Sequence, residues 1–274
     1  MELVFRDDFD GPSGTGVNRS DWFYDLGTSY PGGPEQWGTG EIETMTDSPD
    51  NVYLDGQGHL AIRPLRDSEG NWTSGRIETT RSNFAAQPGG KLYVEASLQQ
   101  PAVDGEAAAG YWPAFWMLGD EVRTQGTRLK WPGAGEWDVM EGANGRDSHF
   151  GTLHCGVAPG GPCNEFNGLG SGEKPCSGCT RNFHTYAIEY DRTSSPEKLS
   201  WFRDGREYFT LSEKEVGSPA WKEATQHGFF LILNVAVGGA FPAAFGGGPT
   251  PATSPGAPML VDHVAVYRTP AHLG

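Results

Sequence analysis

The chain has 274 residues, of which 35 are acidic and 20 are basic, so its formal net charge at pH 7 is −15. A charge of this sign repels nucleic acid and anionic membrane, and no cluster of Lys or Arg offsets it, whereas a neutral ligand or a divalent cation is compatible with it. The hydrophobic content of 36% argues against disorder, and no apolar run reaches the ~20 residues of a membrane span.

Short strand-like runs separated by turn signals fill most of the sequence. In chain order the runs are NVYL (51–54), HLAIRP (59–64), GRIETT (75–80), KLYVEASLQ (91–99), YWPAFWML (111–118), EWDVME (136–141), FHTYAIEY (183–190), LSWFRDG (199–205), FFLILNVAV (229–237) and VDHVAVYR (261–268). The alternation in KLYVEASLQ predicts a strand with one buried face, and the nearly continuous FFLILNVAV predicts a central strand covered on both faces. The only helix predicted is a short one, around 212–216.

Ten or more strands with almost no helix predict an all-β protein, and their even spacing predicts a sandwich rather than two separate units. We therefore expect one domain over residues 1–274. The Gly/Pro-rich segment 238–258 has the composition of a linker, but the run that follows it is too short to form a domain. That segment is expected to be a loop between the last two strands of the same fold.

The four cysteines, Cys155, Cys163, Cys176 and Cys179, fall within 25 residues of one another. Four cysteines allow three pairings, and Cys176 and Cys179 also have the C-x-x-C spacing of a zinc site. Free buried thiols are a further alternative. We favour two local disulfides in a long loop, which implies an oxidising compartment. The N-terminal MELVFRDDFDG lacks the features of a signal peptide, and its Met could replace a removed leader.

The stretch GEWDVMEG (135–142) places three carboxylates in six positions, at Glu136, Asp138 and Glu141. A regular strand puts the first two on one face and Glu141 on the other. One bulged residue near Met140 would return Glu141 to the face of the first two, and bulges are frequent beside active sites. An edge strand whose charges deter aggregation is the alternative. Opposed carboxyl groups of unequal pKa are what hydrolysis of a glycosidic bond requires.

This stretch resembles the E-[apolar]-D-[apolar]-[apolar]-E signature of glycoside hydrolase family 16, in the bulged form of its laminarinase-type branch. Further segments are similar to family segments, in family order: FRDDFDG (5–11), EQWGTGEIETMT (35–46), NVYLDGQGHLAIRP (51–64), SGRIETTRSNF (74–84), GYWPAFWMLG (110–119), GTLHC (151–155), FHTYAIEYD (183–191), LILNVAVGG (231–239) and MLVDHVAVYR (259–268). The resemblance implies a β-jelly-roll sandwich of two antiparallel sheets with a concave cleft. It also implies a retaining reaction in which Glu136 is the nucleophile, Asp138 assists it and Glu141 is the general acid/base.

Trp112 and Trp116 share a parity in their run and would line one face, where an indole can stack on the apolar face of a sugar. The resemblance implies that both lie in the cleft, with Trp131 at the non-reducing side and His154 near the leaving group. It also makes Arg76 and Asn51 candidates for hydrogen bonds to sugar hydroxyls. The simpler interpretation of each residue is structural: core packing for the Trp residues and a buried polar contact for the others.

Members of the family often bind a calcium ion on the convex face, and the resemblance places its ligands at Asp8, Gly58 and Asp262. Calcium takes carboxylate and backbone oxygens, so these positions suit it, and the ion would have a structural role. Ordinary surface acids at Asp8 and Asp262 are the alternative.

The function implied is endo-hydrolysis of a β-1,3-glucan of laminarin type, by a secreted, monomeric enzyme that needs no catalytic cofactor. A shared fold does not fix the sugar, so hydrolysis of another β-linked polysaccharide, such as a mixed-linkage glucan or a galactan, is the alternative within the enzyme class. A non-catalytic glucan-binding module is the alternative outside it. Such modules lose one or both catalytic Glu residues, whereas this sequence retains all three acids.

Overall fold

A computed structural model describes residues 1–270, which form two large antiparallel sheets and a small third one. The strands are β1 (Glu2–Asp7), β2 (Trp22–Tyr24), β3 (Thr44–Met45), β4 (Val52–Leu54), β5 (Leu60–Ile62), β6 (Leu65–Arg66), β7 (Trp72–Ser74), β8 (Arg76–Thr79), β9 (Lys91–Gln99), β10 (Tyr111–Gly119), β11 (Glu136–Glu141), β12 (Ser148–His154), β13 (Leu169–Gly170), β14 (Lys174–Pro175), β15 (His184–Asp191), β16 (Lys198–Arg203), β17 (Arg206–Ser212), β18 (Phe229–Val237) and β19 (Met259–Arg268). The α-helices are α1 (Asp120–Gln125), α2 (Thr127–Lys130), α3 (Glu213–Val216), α4 (Ser218–Thr225) and α5 (Ala240–Ala243), and single 3-10 turns occur at Glu35–Gly38 and Gly105–Ala108.

The sheet that carries the three acids, called here the carboxylate sheet, has the strand order β13-β12-β11-β10-β18-β8-β2, with β14 paired to β12. The opposite sheet has the order β17-β16-β15-β9-β19-β5-β4, with β1 paired to β19. Strands β3, β7 and β6 form the small sheet. The two large sheets pack face to face over a shared apolar core, so the predicted two-sheet all-β architecture is confirmed.

Side-chain alternation determines which face of each strand enters the core. In β9, Leu92, Val94, Ala96 and Leu98 are all buried in the shared core, as the sequence predicts. All nine residues of β18 are buried. Alternate residues of β18 enter the shared core, whereas Phe230 and Ile232 join a smaller apolar cluster on the outer face of the carboxylate sheet. The prediction of a strand covered on both faces is therefore correct.

The predicted helix around residue 212 is α3, which begins with a capping box between Ser212 and Glu215. Helices α1, α2, α4 and α5 are not predicted from the sequence. They have between four and eight residues, which is too short for a helical period to stand out. Segment 238–258 joins β18 to β19 as expected. No helix within residues 1–270 is long and apolar enough to cross a membrane.

Two disulfides join neighbouring cysteines, Cys155 to Cys163 and Cys176 to Cys179. Their sequence separations are 8 and 3 residues, so each closes a small loop beside β12 or β14. The predicted pair of local disulfides is confirmed. The alternatives of a zinc site and of free thiols are excluded, since no cysteine is free.

Candidate active site

A β-bulge in β11 brings the three acids to one face. Asp138 pairs with Thr152 of β12, but Glu141 pairs with Phe150, so three steps along β11 match two along β12. The side chains of Val139 and Met140, which occupy the extra length, both enter the shared core. Glu136, Asp138 and Glu141 consequently project from the opposite side, called here the carboxylate face.

The pairing of β11 with β10 identifies the bulged residue. On the side of β10, the residue without a partner is Val139, because Met140 still pairs with Phe115. The predicted bulge is therefore present, one residue before the predicted position.

The bulge is supported from the opposite sheet. Trp201 of β16 donates a hydrogen bond of 2.9 Å from its indole nitrogen to the backbone carbonyl of Asp138. Gly151, which faces the bulge from β12, leaves the room for this contact, since a Cβ there would lie 2.6 Å from the Trp201 ring. The Asp138 carbonyl thus has a buried hydrogen-bond donor at the point where the bulge interrupts the pairing of β11 with β12.

The three acids Glu136, Asp138 and Glu141 are called here the acid row. Two tryptophans donate hydrogen bonds to its outer members. Trp131 donates from its indole nitrogen to Oε2 of Glu136 at 2.7 Å, and Trp112 donates to Oε1 of Glu141 at 3.0 Å. Both rings are partly exposed on the carboxylate face. The sequence predicts these residues as stacking surfaces for sugar, and the structure adds a second role, because each fixes the orientation of a carboxylate.

His154 lies directly across from Glu136 on β12. Its Nε2 is 3.2 Å from Oδ2 of Asp138 and 3.8 Å from Oε1 of Glu136, while its Nδ1 is 2.6 Å from Oε1 of Glu165. His154 therefore lies beside the three acids, at the Glu136 end and across the strand pair from Glu136 rather than from Glu141.

The acids of the row differ in protonation. Burial, together with the nearby charge of Glu136, raises the pKa of Glu141 to about 7. Burial and the charges of both Glu residues raise the pKa of Asp138 well above its usual range. Burial alone would lower the pKa of His154, but Glu136, Asp138 and Glu165 together raise it well above its usual value. Glu141 is therefore neutral below about pH 7, and the raised pKa values of Asp138 and His154 favour the protonated form of each.

Arg76 and Trp116 belong to a polar cluster on the same face. Arg76 donates to Asp25 at 2.9 Å, and its guanidinium lies 4.8 Å above the Trp116 ring and 4.3 Å above the Trp37 ring. Trp116 donates to Asn234 at 2.7 Å. Arg76 is nearly fully buried among these partners and the phenol of Tyr30, so the structure places it on the carboxylate face as a charged anchor of the cluster.

Sequence reasoning missed several residues of this face. Asn234 interrupts an otherwise apolar strand, and that lone amide is a signal that could have been used. Glu165 lies far from the acid motif and has no such signal. The buried carboxylates near Arg76 were not predicted either; they are Asp25, Glu41 and Glu78.

The structure does not bring Asn51 into the site. Asn51 is only 2% exposed and directly precedes β4, which belongs to the opposite sheet. Its amide nitrogen donates to the carbonyl of Arg63 and to the hydroxyl of Thr73, both at 3.1 Å, and its amide oxygen accepts from Thr46. Both amide hydrogens are thus occupied within the protein. The predicted sugar contact of Asn51 is therefore wrong, and its simpler, structural interpretation is correct.

Two groups of side chains within residues 1–270 have the spacing to hold a metal ion. One group is Cys176, Cys179 and His184. The sulfurs of its two cysteines form a disulfide and cannot act as thiolate ligands. The other is Glu136, Asp138 and His154, whose ligand atoms all lie within 4.8 Å of one another. That second group coincides with the acid row itself.

The predicted calcium ligands come from adjacent strands of the opposite sheet, since β1 and β5 both pair with β19. Their carboxylates already have partners. Asp8 accepts from the guanidinium of Arg6 at 2.7 and 3.0 Å, and Asp262 lies 3.3 Å from His263. Gly58, with φ of 86°, forms part of the turn before β5. A calcium ion would have to compete with these nitrogen partners for both carboxylates.

Comparisons with known proteins place this geometry in a family, although no family model matches the chain. The glucan endo-1,3-beta-glucosidase A1 of Niallia circulans is 31% identical over 98% of this chain, which spans only 38% of that protein's length. The beta-glucanase of Rhodothermus marinus is 33% identical over 97% of this chain and 85% of its own. The crystal structure of an endo-1,3-beta-glucanase from Streptomyces sioyaensis is 55% identical with a TM-score of 0.95, and the match covers 97% of this chain and 96% of that one.

The two-sheet sandwich and its row of acids, together with these relatives, define a glycoside hydrolase. The chain belongs to glycoside hydrolase family 16, as the resemblance in its sequence predicts.

Proposed function

We propose that the chain hydrolyses internal β-1,3 bonds of laminarin-type glucan by a retaining double displacement. The observation that carries this proposal is the bulge, which turns Glu141 onto the face of Glu136 while their indole donors hold each carboxylate separately. The β-1,3 linkage is supported by the Niallia and Streptomyces relatives, which are named an endo-1,3-beta-glucosidase and an endo-1,3-beta-glucanase.

Each acid has a stated part in the reaction. Glu136 attacks the anomeric carbon while Glu141, protonated below pH 7, gives its proton to the departing glycosidic oxygen. The products of this step are a glycosyl ester on Glu136 and a Glu141 carboxylate. That carboxylate then takes a proton from water, whose oxygen attacks the anomeric carbon and releases Glu136. Asp138 lies between the two, and its raised pKa favours the protonated form, which can donate a hydrogen bond to Glu136 without adding a second charge.

Reducing-sugar release from laminarin, lichenan and agarose tests the proposal and its alternatives together. Release from laminarin in preference to the other two is the expected result. Preference for lichenan or agarose would indicate the mixed-linkage or galactan alternative, and binding of laminarin without release would indicate a glucan-binding module.

The anomeric form of a trapped product distinguishes the roles of the two Glu residues. With 2,4-dinitrophenyl β-laminaribioside as substrate and added azide, Glu141→Ala should yield the β-glycosyl azide, because Glu136 still forms the ester that azide displaces. Glu136→Ala should yield the α-glycosyl azide by direct displacement. The reverse pattern would exchange the two assignments.

We also propose that Asp8, Gly58 and Asp262 bind a structural calcium ion that ties β1 to β19. The adjacency of these strands supports the proposal, and the ion would replace Arg6 at Asp8. Calcium chloride should then raise the melting temperature relative to EDTA, and Asp262→Asn should abolish that increase. Equal melting temperatures in calcium and EDTA would overturn the proposal.

We further propose that the protein works outside the cytoplasm as a monomer. Its two disulfides support an oxidising compartment. Sedimentation at micromolar concentration tests the monomer, and the redox state of the four cysteines in protein taken directly from culture medium tests the compartment.

A further inference from the structure

One loop contacts both of the residues that approach Glu136. The loop runs from residue 155 to residue 168 and is called here the clamp loop; the Cys155–Cys163 disulfide closes its first part. Glu165 of this loop lies 2.6 Å from Nδ1 of His154. The next residue, Phe166, stacks on Trp131 with an angle of 11° between the rings and 6.1 Å between their centroids. The loop therefore contacts both His154 and Trp131, the two side chains that lie beside the Glu136 carboxylate.

The ion pair with His154 accounts for the burial of the Glu165 carboxylate. Its side chain is fully buried, and its Oε2 accepts from the backbone N–H of Cys155 at 3.0 Å. Among residues 1–270, the ion pair with His154 is the only one found for this carboxylate. A buried carboxylate is costly unless it is paired, so this pair commits Nδ1–H of His154 to Glu165. Nε2 of the same ring lies 3.2 Å from Oδ2 of Asp138 and 3.8 Å from Oε1 of Glu136.

We propose that Glu165 is a positioning residue for hydrolysis: by holding His154 in one orientation, it keeps the imidazole ring beside Glu136 and Asp138. This inference rests on the proposed role of Glu136 as nucleophile. Glu136 then has one hydrogen-bond donor, Trp131, and one neighbouring imidazole, His154, whose Nε2 lies 3.8 Å from Oε1, and the clamp loop contacts both residues. Phe166, which is 68% exposed, holds the Trp131 ring from the solvent side.

The charged groups around His154 define what a substitution should do. Glu136 and Asp138 face the ring from β11, Glu165 faces it from the clamp loop, and Glu141 is also close enough to interact electrostatically. The Trp131 ring lies 5.6 Å away and carries no charge. Replacing Glu165 by Gln retains the size of the side chain and removes one of the negative charges that keep His154 protonated. The imidazolium should therefore lose its proton at a lower pH in the variant.

Steady-state kinetics of Glu165→Gln on laminarin test the proposal. We expect kcat to fall ~10- to 100-fold with KM changed less than about two-fold, since the supporting hydrogen bond is lost and no group facing the sugar is removed. Glu173→Gln is the matched control, because Glu173 pairs with Arg146 and Ser148 away from the acid row. Wild-type kcat in Glu165→Gln would overturn the proposal.

A double-mutant cycle tests whether Glu165 acts through His154. If it does, Glu165→Gln should cost little further activity in a His154→Asn background, whereas additive losses would overturn the proposal. If Glu165→Gln fails to fold, Glu165→Asp takes its place in the cycle, since it retains the charge and shortens the reach to His154.

An NMR titration separates this proposal from the proposed function. The His154 ring should titrate at a lower pH in the Glu165 variant than in the wild type, whether or not laminarin is cleaved. Absence of laminarin cleavage by the wild type would overturn the hydrolase assignment, and the positioning role with it, even if the titration moved. An unchanged titration in an active enzyme would overturn the positioning role alone.

Discussion

The indole N–H of Trp131 donates a 2.7 Å hydrogen bond to Oε2 of Glu136, five residues further along the chain. The donor follows α2 and the acceptor opens β11, so the turn between them sets the direction in which the carboxylate points. One oxygen of Glu136 is thereby fixed, and the other, Oε1, lies 3.8 Å from Nε2 of His154.

Replacing Trp131 by Phe removes this donor and leaves an aromatic ring. A hydrogen bond to a charged group contributes about 1.5–3 kcal/mol, so kcat on laminarin should fall roughly ten-fold or more if the bond is stronger in the transition state. Trp72→Phe, in the small sheet, is a suitable control for loss of an indole elsewhere. An unchanged kcat in Trp131→Phe would show that the bond does not contribute to the reaction.

The pKa of Glu141, raised to about 7, predicts the alkaline side of the pH profile. Because the folded value lies above the usual one, the carboxyl group holds its proton below pH 7 and loses it above. Turnover of laminarin should fall about ten-fold for each pH unit beyond that point. Formation of the glycosyl ester from a dinitrophenyl glycoside needs no proton, so its pre-steady-state rate should not show this limb. The same limb with both substrates would point to another group.

The two disulfides should differ in their effect on activity. Chain-entropy arguments assign about 2–3 kcal/mol of stability to each of these short loops, so both double Cys→Ala variants should melt earlier. Only Cys155→Ala/Cys163→Ala should also lower kcat, since Cys155 directly follows His154 and Cys163 lies two residues before Glu165. A parallel loss of kcat in Cys176→Ala/Cys179→Ala would mean that the effect is a general loosening.

His149 should make the fold sensitive to acid. Burial, with the charge of Arg203 next, lowers the pKa of His149 to about 3, and the Arg203 guanidinium donates to its Nε2 at 2.8 Å. The unfolded chain therefore takes up this proton first, and stability should fall by up to about 1.4 kcal/mol per pH unit between pH 6.5 and 3. His149→Gln keeps an acceptor for Arg203 and should flatten the dependence. Urea unfolding at pH 4, 5 and 6 measures it, and equal slopes in the two proteins would contradict the assignment.

The sequence was most informative where a period is strong or visibly broken. The clean alternation of β9 and the continuous apolar run of β18 gave the correct burial of both strands. Glu141 is out of register with the two-residue period of Glu136 and Asp138, and this predicted the bulge, because one extra residue returns Glu141 to their face. The common parity of Trp112 and Trp116 likewise placed both on the carboxylate face.

What the sequence could not give depends on contacts between distant segments. Asn51 looks the same in sequence whether its amide binds a sugar or, as here, the carbonyl of Arg63. Glu165 lies beside His154 only in the folded loop, where it also accepts from the backbone N–H of Cys155. The indole nitrogens of Trp112 and Trp131 could have faced water, and their bonds to Glu141 and Glu136 follow from the tertiary structure alone.

The hydrogen bond from Trp201 to the Asp138 carbonyl links the two large sheets, and Gly151 leaves space for the Trp201 ring. The spacing of the acids is therefore linked to the gap between the two sheets. Anything that widens the gap, such as heating or an enlarged side chain at Met140, acts on proton transfer to the leaving group before the strands separate. For this enzyme, the temperature at which turnover is lost should lie below the temperature at which the sheets melt.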